Sequence, residues 1–145
     1  MSSGIGGTLS ANAFAINAMR ATLAHVATEE AFEKMISDAN RMADGLEAAI
    51  IDHGLPWSVN RCGDRAELQF MPQPPTKGSE AKAAVYWDLI AYTHLYLANR
   101  GVLITPFHNM MLVSPVTTDE DIDLLLKGWD DCMSELAENR SQNAI

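Results

Sequence analysis

The chain has 145 residues, 48% of them hydrophobic, and a formal charge of −9 at pH 7. That length suits one domain with a real core. The acidic balance excludes nucleic acid and anionic membranes as partners, because both are bound by a surplus of Lys and Arg. No apolar run is long enough to span a bilayer. Met1-Ser2-Ser3 leads into glycines rather than a secretory signal, and the two cysteines, Cys62 and Cys132, lie far apart; a reduced, cytoplasmic protein is the expectation.

The chain opens on Gly6-Gly7-Thr8-Leu9-Ser10-Ala11-Asn12. Gly6 and Gly7 permit close backbone approach, Thr8 supplies a hydroxyl, and a helix beginning near Leu9 or Ser10 offers free N–H groups to a phosphate or carboxylate. An ordinary turn and cap reads the same way, and the spacing is neither a dinucleotide fingerprint nor a P-loop. A domain seldom begins inside such a loop, so upstream sequence is expected. From Leu9 to about Val26 the chain is alanine-rich, which predicts a tightly packed helix. A second helix is expected from a Thr28 cap, through Glu29 and Glu30, to His53 before Gly54. Its buried stripe is Phe32, Met35, Ile36, Ala39, Ala43, Leu46 and Ile50.

Trp57 to Cys62 and Arg65 to Met71 read as two strands, with Ala66, Leu68 and Phe70 alternating against Arg65, Glu67 and Gln69. The proline-rich run Pro72 to Gly78 cannot continue a sheet, and Ser79 is the expected cap of a third helix reaching Asn99. Val102 to Thr105 and Met110 to Ser114 are predicted short strands flanking Pro106-Phe107-His108-Asn109. A last helix begins at Thr118 and carries Ile122, Leu125, Leu126, Trp129, Cys132, Met133 and Leu136 on one face. Beyond Glu138 the polar tail is expected to fray. The element order implies an α+β fold: a small antiparallel sheet of three or four strands, with helices packed mainly on one face, preceded by the alanine-rich helix.

Candidate chemistry is sparse. His25, His53, His94 and His108 show no metal-ligand spacing, and His53 sits where a cation complements a helix end. His108 differs, because it lies in a loop between predicted strands, where ligand-facing side chains are often held. Asp119, Glu120, Asp121 and Asp123 are explained by the helix dipole rather than by a cation. Cys62 has neither a helix N-terminus nor a base beside it, and reads as a structural thiol. Lys34, Lys77, Lys82 and Lys127 fall on polar faces or in the proline loop, whereas a Schiff-base lysine must be desolvated.

Four segments together resemble one family. They are Gly7-Thr8-Leu9-Ser10-Ala11-Asn12, Asn60-Arg61-Cys62-Gly63, Asn99-Arg100-Gly101-Val102-Leu103-Ile104-Thr105-Pro106 and Thr117-Thr118-Asp119-Glu120-Asp121-Ile122-Asp123. In order and separation they are similar to class III, fold-type I pyridoxal-phosphate aminotransferases, in the subgroup of glutamate-1-semialdehyde aminomutase, over Gly7 to about Leu136. The resemblance implies that Thr8, with Gly7 kept small beside it, reaches the cofactor phosphate bound in the partner subunit of a homodimer. It implies that residues 1–8 are the remnant of the phosphate loop, 9–26 a linking helix, 27–138 the C-terminal small domain and 139–145 a tail.

The large domain, with its Schiff-base lysine, would lie upstream, so this chain alone is not expected to transaminate or to bind the cofactor. Many relatives carry a substrate-gripping arginine near the late strands. The segment Thr105 to Met111 contains none, which leaves Phe107, His108 and Asn109 to line the substrate side with an aromatic wall and neutral hydrogen bonds for a small amine or amino acid. The competing reading is a stand-alone, non-catalytic module of the same fold that associates through the alanine-rich helix. An independent small enzyme using His108 or Cys62 lacks any visible partner group.

Overall fold

The computed structural model describes residues 11–105 and 108–142, the side chains of the last three excepted. In chain order the elements are α1 (Ala13–His25), α2 (Glu29–Asp52), β1 (Ser58–Cys62), β2 (Arg65–Gln69), α3 (Gly78–Ala83), α4 (Trp87–Ala98), β3 (Met110–Leu112) and α5 (Asp119–Gln142). The strands form one antiparallel sheet of order β1-β2-β3. The α+β architecture expected from the sequence is therefore observed, with three strands.

Helix α2 forms where its local signals place it. The Thr28 hydroxyl accepts from the Ala31 N–H at 3.2 Å, and Glu29 and Glu30 occupy the first turn, where the dipole favours negative charge. At its far end Gly54 adopts φ +61 and Leu55 N–H returns to the Ile50 carbonyl at 3.0 Å. Helix α4 ends the same way: Gly101 has φ +86, Val102 N–H donates to Leu97 O at 3.0 Å and Gly101 N–H to Ala98 O at 3.1 Å. A left-handed residue that a Cβ would penalise closes both helices and satisfies otherwise orphaned carbonyls.

The sheet buries one face. Val59 pairs with Leu68 and Ala66 with Met111, and all four are buried, whereas Arg65, Glu67 and Gln69 point away from the core. Helix α2 covers this face and packs along α5. The two helices run in the same direction: Arg41 pairs with Asp119 and Asp123, and His53 Nε2 lies 2.8 Å from Asp130 Oδ1. Trp129, Leu46, Leu97, Ile122, Met133 and Cys132 fill the centre with essentially no exposed surface. Arg61, on the helix-facing side of β1, reaches Asp44 at 2.7 Å and Glu47 at 2.6 Å and ties the sheet edge to α2.

Several expectations are corrected. The alanine-rich helix begins at Ala13, capped by Asn12, whose Oδ1 takes the Ala15 N–H at 2.9 Å, and none of its residues is buried. It is therefore not tightly packed, because no other element among the described residues buries it. Phe32 and Ile36 are 46% and 41% exposed. They lie in the first turns of α2, on the α1 side of the core, while Met42 and Ala49 complete the buried stripe.

The single helix expected from Ser79 to Asn99 is two helices. Lys77, not Ser79, is the N-cap of α3, and the break lets Tyr86 set its ring edge-on to Phe70, 6.2 Å away, which in turn meets Trp57 at 4.8 Å. Val102 to Thr105 is not a strand: it touches β3 through one ladder-like bond, Thr105 N–H to Met110 O at 3.3 Å, and Pro106 has no donor to extend the pairing. The last helix continues past Glu138 to Gln142.

A Cβ built on Gly45 would lie 2.6 Å from both Cδ atoms of Leu126. The atoms met are the far end of a half-buried side chain that can turn away, so Gly45→Ala should leave the melting temperature nearly unchanged, the gain of about 1 kcal/mol in helix propensity being offset by the displacement of Leu126. In a Leu126→Ala background the same change should be stabilising; equal effects in both backgrounds would refute the close approach. Burial pushes the Cys132 thiol up from 9.0 to about 12, while Cys62 is exposed. At pH 8 an alkylating reagent should modify Cys62 alone until the chain is unfolded. The folded Cys132 thiol holds its proton where the unfolded one has released it, so this group's contribution to stability is intact below pH about 9 and falls as pH rises toward about 12. A denaturation midpoint that rose over that interval would show the sign to be wrong.

Candidate functional site

The residues just before β3 gather polar side chains that the sequence singled out. Gly7, Thr8 and Phe107 lie outside the described residues. His108 and Asn109 lie within them, side by side and in different surroundings. The His108 side chain is exposed, its Nδ1 3.5 Å from Glu67 Oε1 on the outer face of β2. Asn109 is 5% exposed, and its Oδ1 is buried without a hydrogen-bond partner among the described residues. The Asn109 backbone carbonyl accepts from Leu68 N–H at 3.1 Å, which continues the β2–β3 pairing by one residue.

A second histidine enters from α4. His94 Nε2 lies 2.7 Å from the backbone carbonyl of His108. A carbonyl only accepts, so His94 must carry its proton on Nε2, and its Nδ1 is left as an acceptor when the ring is neutral. Glu67 and His94 were both missed as functional by sequence reasoning. Glu67 was identified only as an outward strand position, and His94 stands mid-helix, 14 residues before the carbonyl it meets, with no periodic signal linking the two.

Beside this loop a cleft of ≈ 470 Å³ opens between residues 101–105, β3 and the first turns of α5. Its walls are chiefly apolar, with Ile104, Met111 and Leu125 at the core side and Leu103, Leu112 and Leu124 toward solvent. Thr117 and Asp121 supply its polar rim. Asp121 is engaged in capping: its Oδ2 accepts from Thr118 N–H at 2.9 Å, and Thr118 Oγ1 accepts from Asp121 N–H at 3.2 Å. The carboxyl's hydrogen bond to the Thr118 backbone first, and its interaction with the Thr118 side chain second, hold Asp121 below the ordinary carboxylate range. Asp119 and Asp123 pair with Arg41. The acidic run is thus a capped helix start, as its position implied. Among the described residues no group of three or more His, Cys, Asp and Glu could hold a metal ion.

The four lysines are exposed, and Lys34 and Lys127 pair with Asp38 and Asp131. None is desolvated as an imine-forming lysine requires. Cys62 pairs with Arg65 beside the turn, two residues along β2 from Glu67, whose carboxylate is turned to His108 at 3.5 Å. No helix of the described residues is long and apolar enough to cross a membrane.

No family model matches the sequence. Known proteins do. Over 92% of its length the chain superposes on the crystal structure of a glutamate-1-semialdehyde aminomutase from Pseudomonas aeruginosa PAO1, with a TM-score of 0.88 and 47% identity, covering 29% of that chain. It is 34% identical over 132 residues, 90% of its length, to glutamate-1-semialdehyde 2,1-aminomutase 2 of Exiguobacterium sibiricum, of which it covers 30%. An omega-transaminase from Sphaerobacter thermophilus shares the fold, with a TM-score of 0.71 at 19% identity over 92% of the chain and 30% of its own. The chain thus spans about 30% of the length of these relatives. The four segments named from the sequence and this likeness agree: what the chain is similar to is a part of class III, fold-type I pyridoxal-phosphate aminotransferases, in the group of glutamate-1-semialdehyde aminomutase.

Proposed function

We propose that this chain is the C-terminal small-domain part of a pyridoxal-phosphate-dependent aminomutase or transaminase, which moves an amino group between an amine or amino acid and a carbonyl compound. The observation that carries this reading is the 47% identity, sustained across 92% of the chain, to a glutamate-1-semialdehyde aminomutase of the same fold. When bound, pyridoxal phosphate supplies the electron sink for such chemistry, and it requires an imine-forming lysine. The exposed lysines of this chain do not meet that requirement, so the lysine belongs to the portion of the relatives that the chain does not cover, and the chain by itself is not a catalyst.

The roles left to this chain are binding and enclosure. Thr8, beside Gly7, donates its hydroxyl to the cofactor phosphate across a homodimer interface. Residues 9–26 link this loop to the small domain at 27–138. Phe107, His108 and Asn109 shape the substrate side; the last two bring hydrogen-bonding groups, and the buried Asn109 Oδ1, without a partner among the described residues, is an acceptor still to be matched by a donor. A stand-alone association module is the second reading, and the exposed apolar surface of α1 favours it: Phe14 is 86% and Leu23 63% exposed. Sedimentation of the isolated chain separates the two, a discrete dimer supporting the module and a monomer the small-domain reading.

In the complete enzyme, Thr8→Ala should weaken cofactor retention by the value of one charge-assisted hydrogen bond, about 1.5–3 kcal/mol or roughly 10- to 150-fold in dissociation constant. Unchanged retention, measured by equilibrium dialysis of the cofactor, would remove the contact in trans.

A further inference from the structure

Resting on the reading of His108 and Asn109 as part of the substrate side, we infer that His94 is a positioning residue, which fixes the backbone at these two residues through its Nε2–H···O bond to the His108 carbonyl. The anchor is sound. His94 is half-buried on α4, a helix seated on α5 through Leu97 against Gly128 and stiffened at its end by the Arg100 guanidinium lying 3.5 Å from the centre of the Tyr96 ring. The loop itself has few ties among the described residues: Thr105 N–H to Met110 O at 3.3 Å, Asn109 O to Leu68 N–H at 3.1 Å, the 3.5 Å approach of His108 to Glu67, and the His94 bond at 2.7 Å. The His94 bond is the shortest of the four and the only one that comes from outside the sheet.

The arrangement divides the work between two histidines. His94 holds the main chain of His108 from one side, while the exposed His108 imidazole approaches Glu67 among the described residues. Held at its carbonyl, the loop cannot rotate the peptide that joins His108 to Asn109, which fixes where the Asn109 carboxamide begins. A side chain on a neighbouring helix thereby sets the geometry of groups it does not touch, and reaches substrate only through them.

The test needs a donor removed and a donor restored. His94→Leu deletes the bond; His94→Gln keeps an N–H₂ at a similar reach. In the 145-residue chain the Leu variant should exchange the Thr105 and Leu68 amide hydrogens about 5-fold faster, the value of one neutral hydrogen bond. The Leu55 amide, bonded to Ile50 O, should be unaffected, and the Gln variant should restore the slow rate. In the complete enzyme, with the portion found in its relatives joined to this chain, the Leu variant should raise KM for the amino substrate by about the same factor with kcat and cofactor retention unchanged. Unaltered exchange at Thr105 and Leu68 would overturn the positioning role. Faster exchange with an unaltered KM would leave the clamp standing and overturn the substrate-side reading of the loop.

Discussion

The parallel seating of α5 along α2 is the contact on which the rest of the structure depends. Gly45 supplies it from one side: with no Cβ there, the Leu126 side chain occupies the space that an alanine would claim. The core then closes around Trp129, which has no exposed surface. Arg41 with Asp119 and Asp123, and His53 with Asp130, repeat the pairing along the rim. These rim contacts add little energy each, and their part is to fix register rather than to hold the helices together. Once α2 and α5 are side by side, α2 presents the remainder of its apolar stripe to Val59, Ala66 and Leu68, and the three strands have one face to bury.

What this core leaves outside is as informative as what it encloses. Helix α1 contributes nothing to it, although its sequence is apolar on several sides, and a helix of that kind is stable in water only when something covers it. The loop at His108 and Asn109 is tied by the His94 and Leu68 bonds and by the approach of His108 to Glu67, with Asn109 buried and His108 exposed. Both features carry exposed groups, Phe14 and Leu23 on α1 and the His108 imidazole on the loop. They are the surfaces through which the proposed small domain would meet the remainder of a pyridoxal-phosphate enzyme, α1 by its length and the loop by its polar groups. The chain's coverage of about 30% of its relatives fits a part that completes a site rather than one that owns it.

Local signals were legible in the sequence and relational ones were not. The Thr28 cap, Glu29 and Glu30, and Gly54 delimit α2 within a residue, because capping and the left-handed closure depend on chemistry a few positions away. The α5 stripe was equally plain, since Ile122, Leu125, Trp129, Cys132 and Met133 must share one face of any helix. Phe32 and Ile36 have the same periodicity but are exposed, because periodicity tells which face is apolar and not how far along the helix its partner extends. The break between α3 and α4 came from a ring contact between Tyr86 and Phe70, and Val85 and Tyr86 carry no glycine or proline to announce it. The His94 to His108 bond is a product of tertiary placement alone. The family likeness was carried by short ordered segments, and the 47% identity to a solved aminomutase is independent of that argument.

The account's central claim is that the core is complete between α2 and α5 without the first helix. Deleting residues 1–26 and measuring chemical denaturation tests this directly. With no α1 residue buried, the shortened chain should unfold within about 0.5–1 kcal/mol of the full one, the range expected for changes away from a core. A loss of several kcal/mol, or failure to fold, would show that α1 is part of the core and contradict the account.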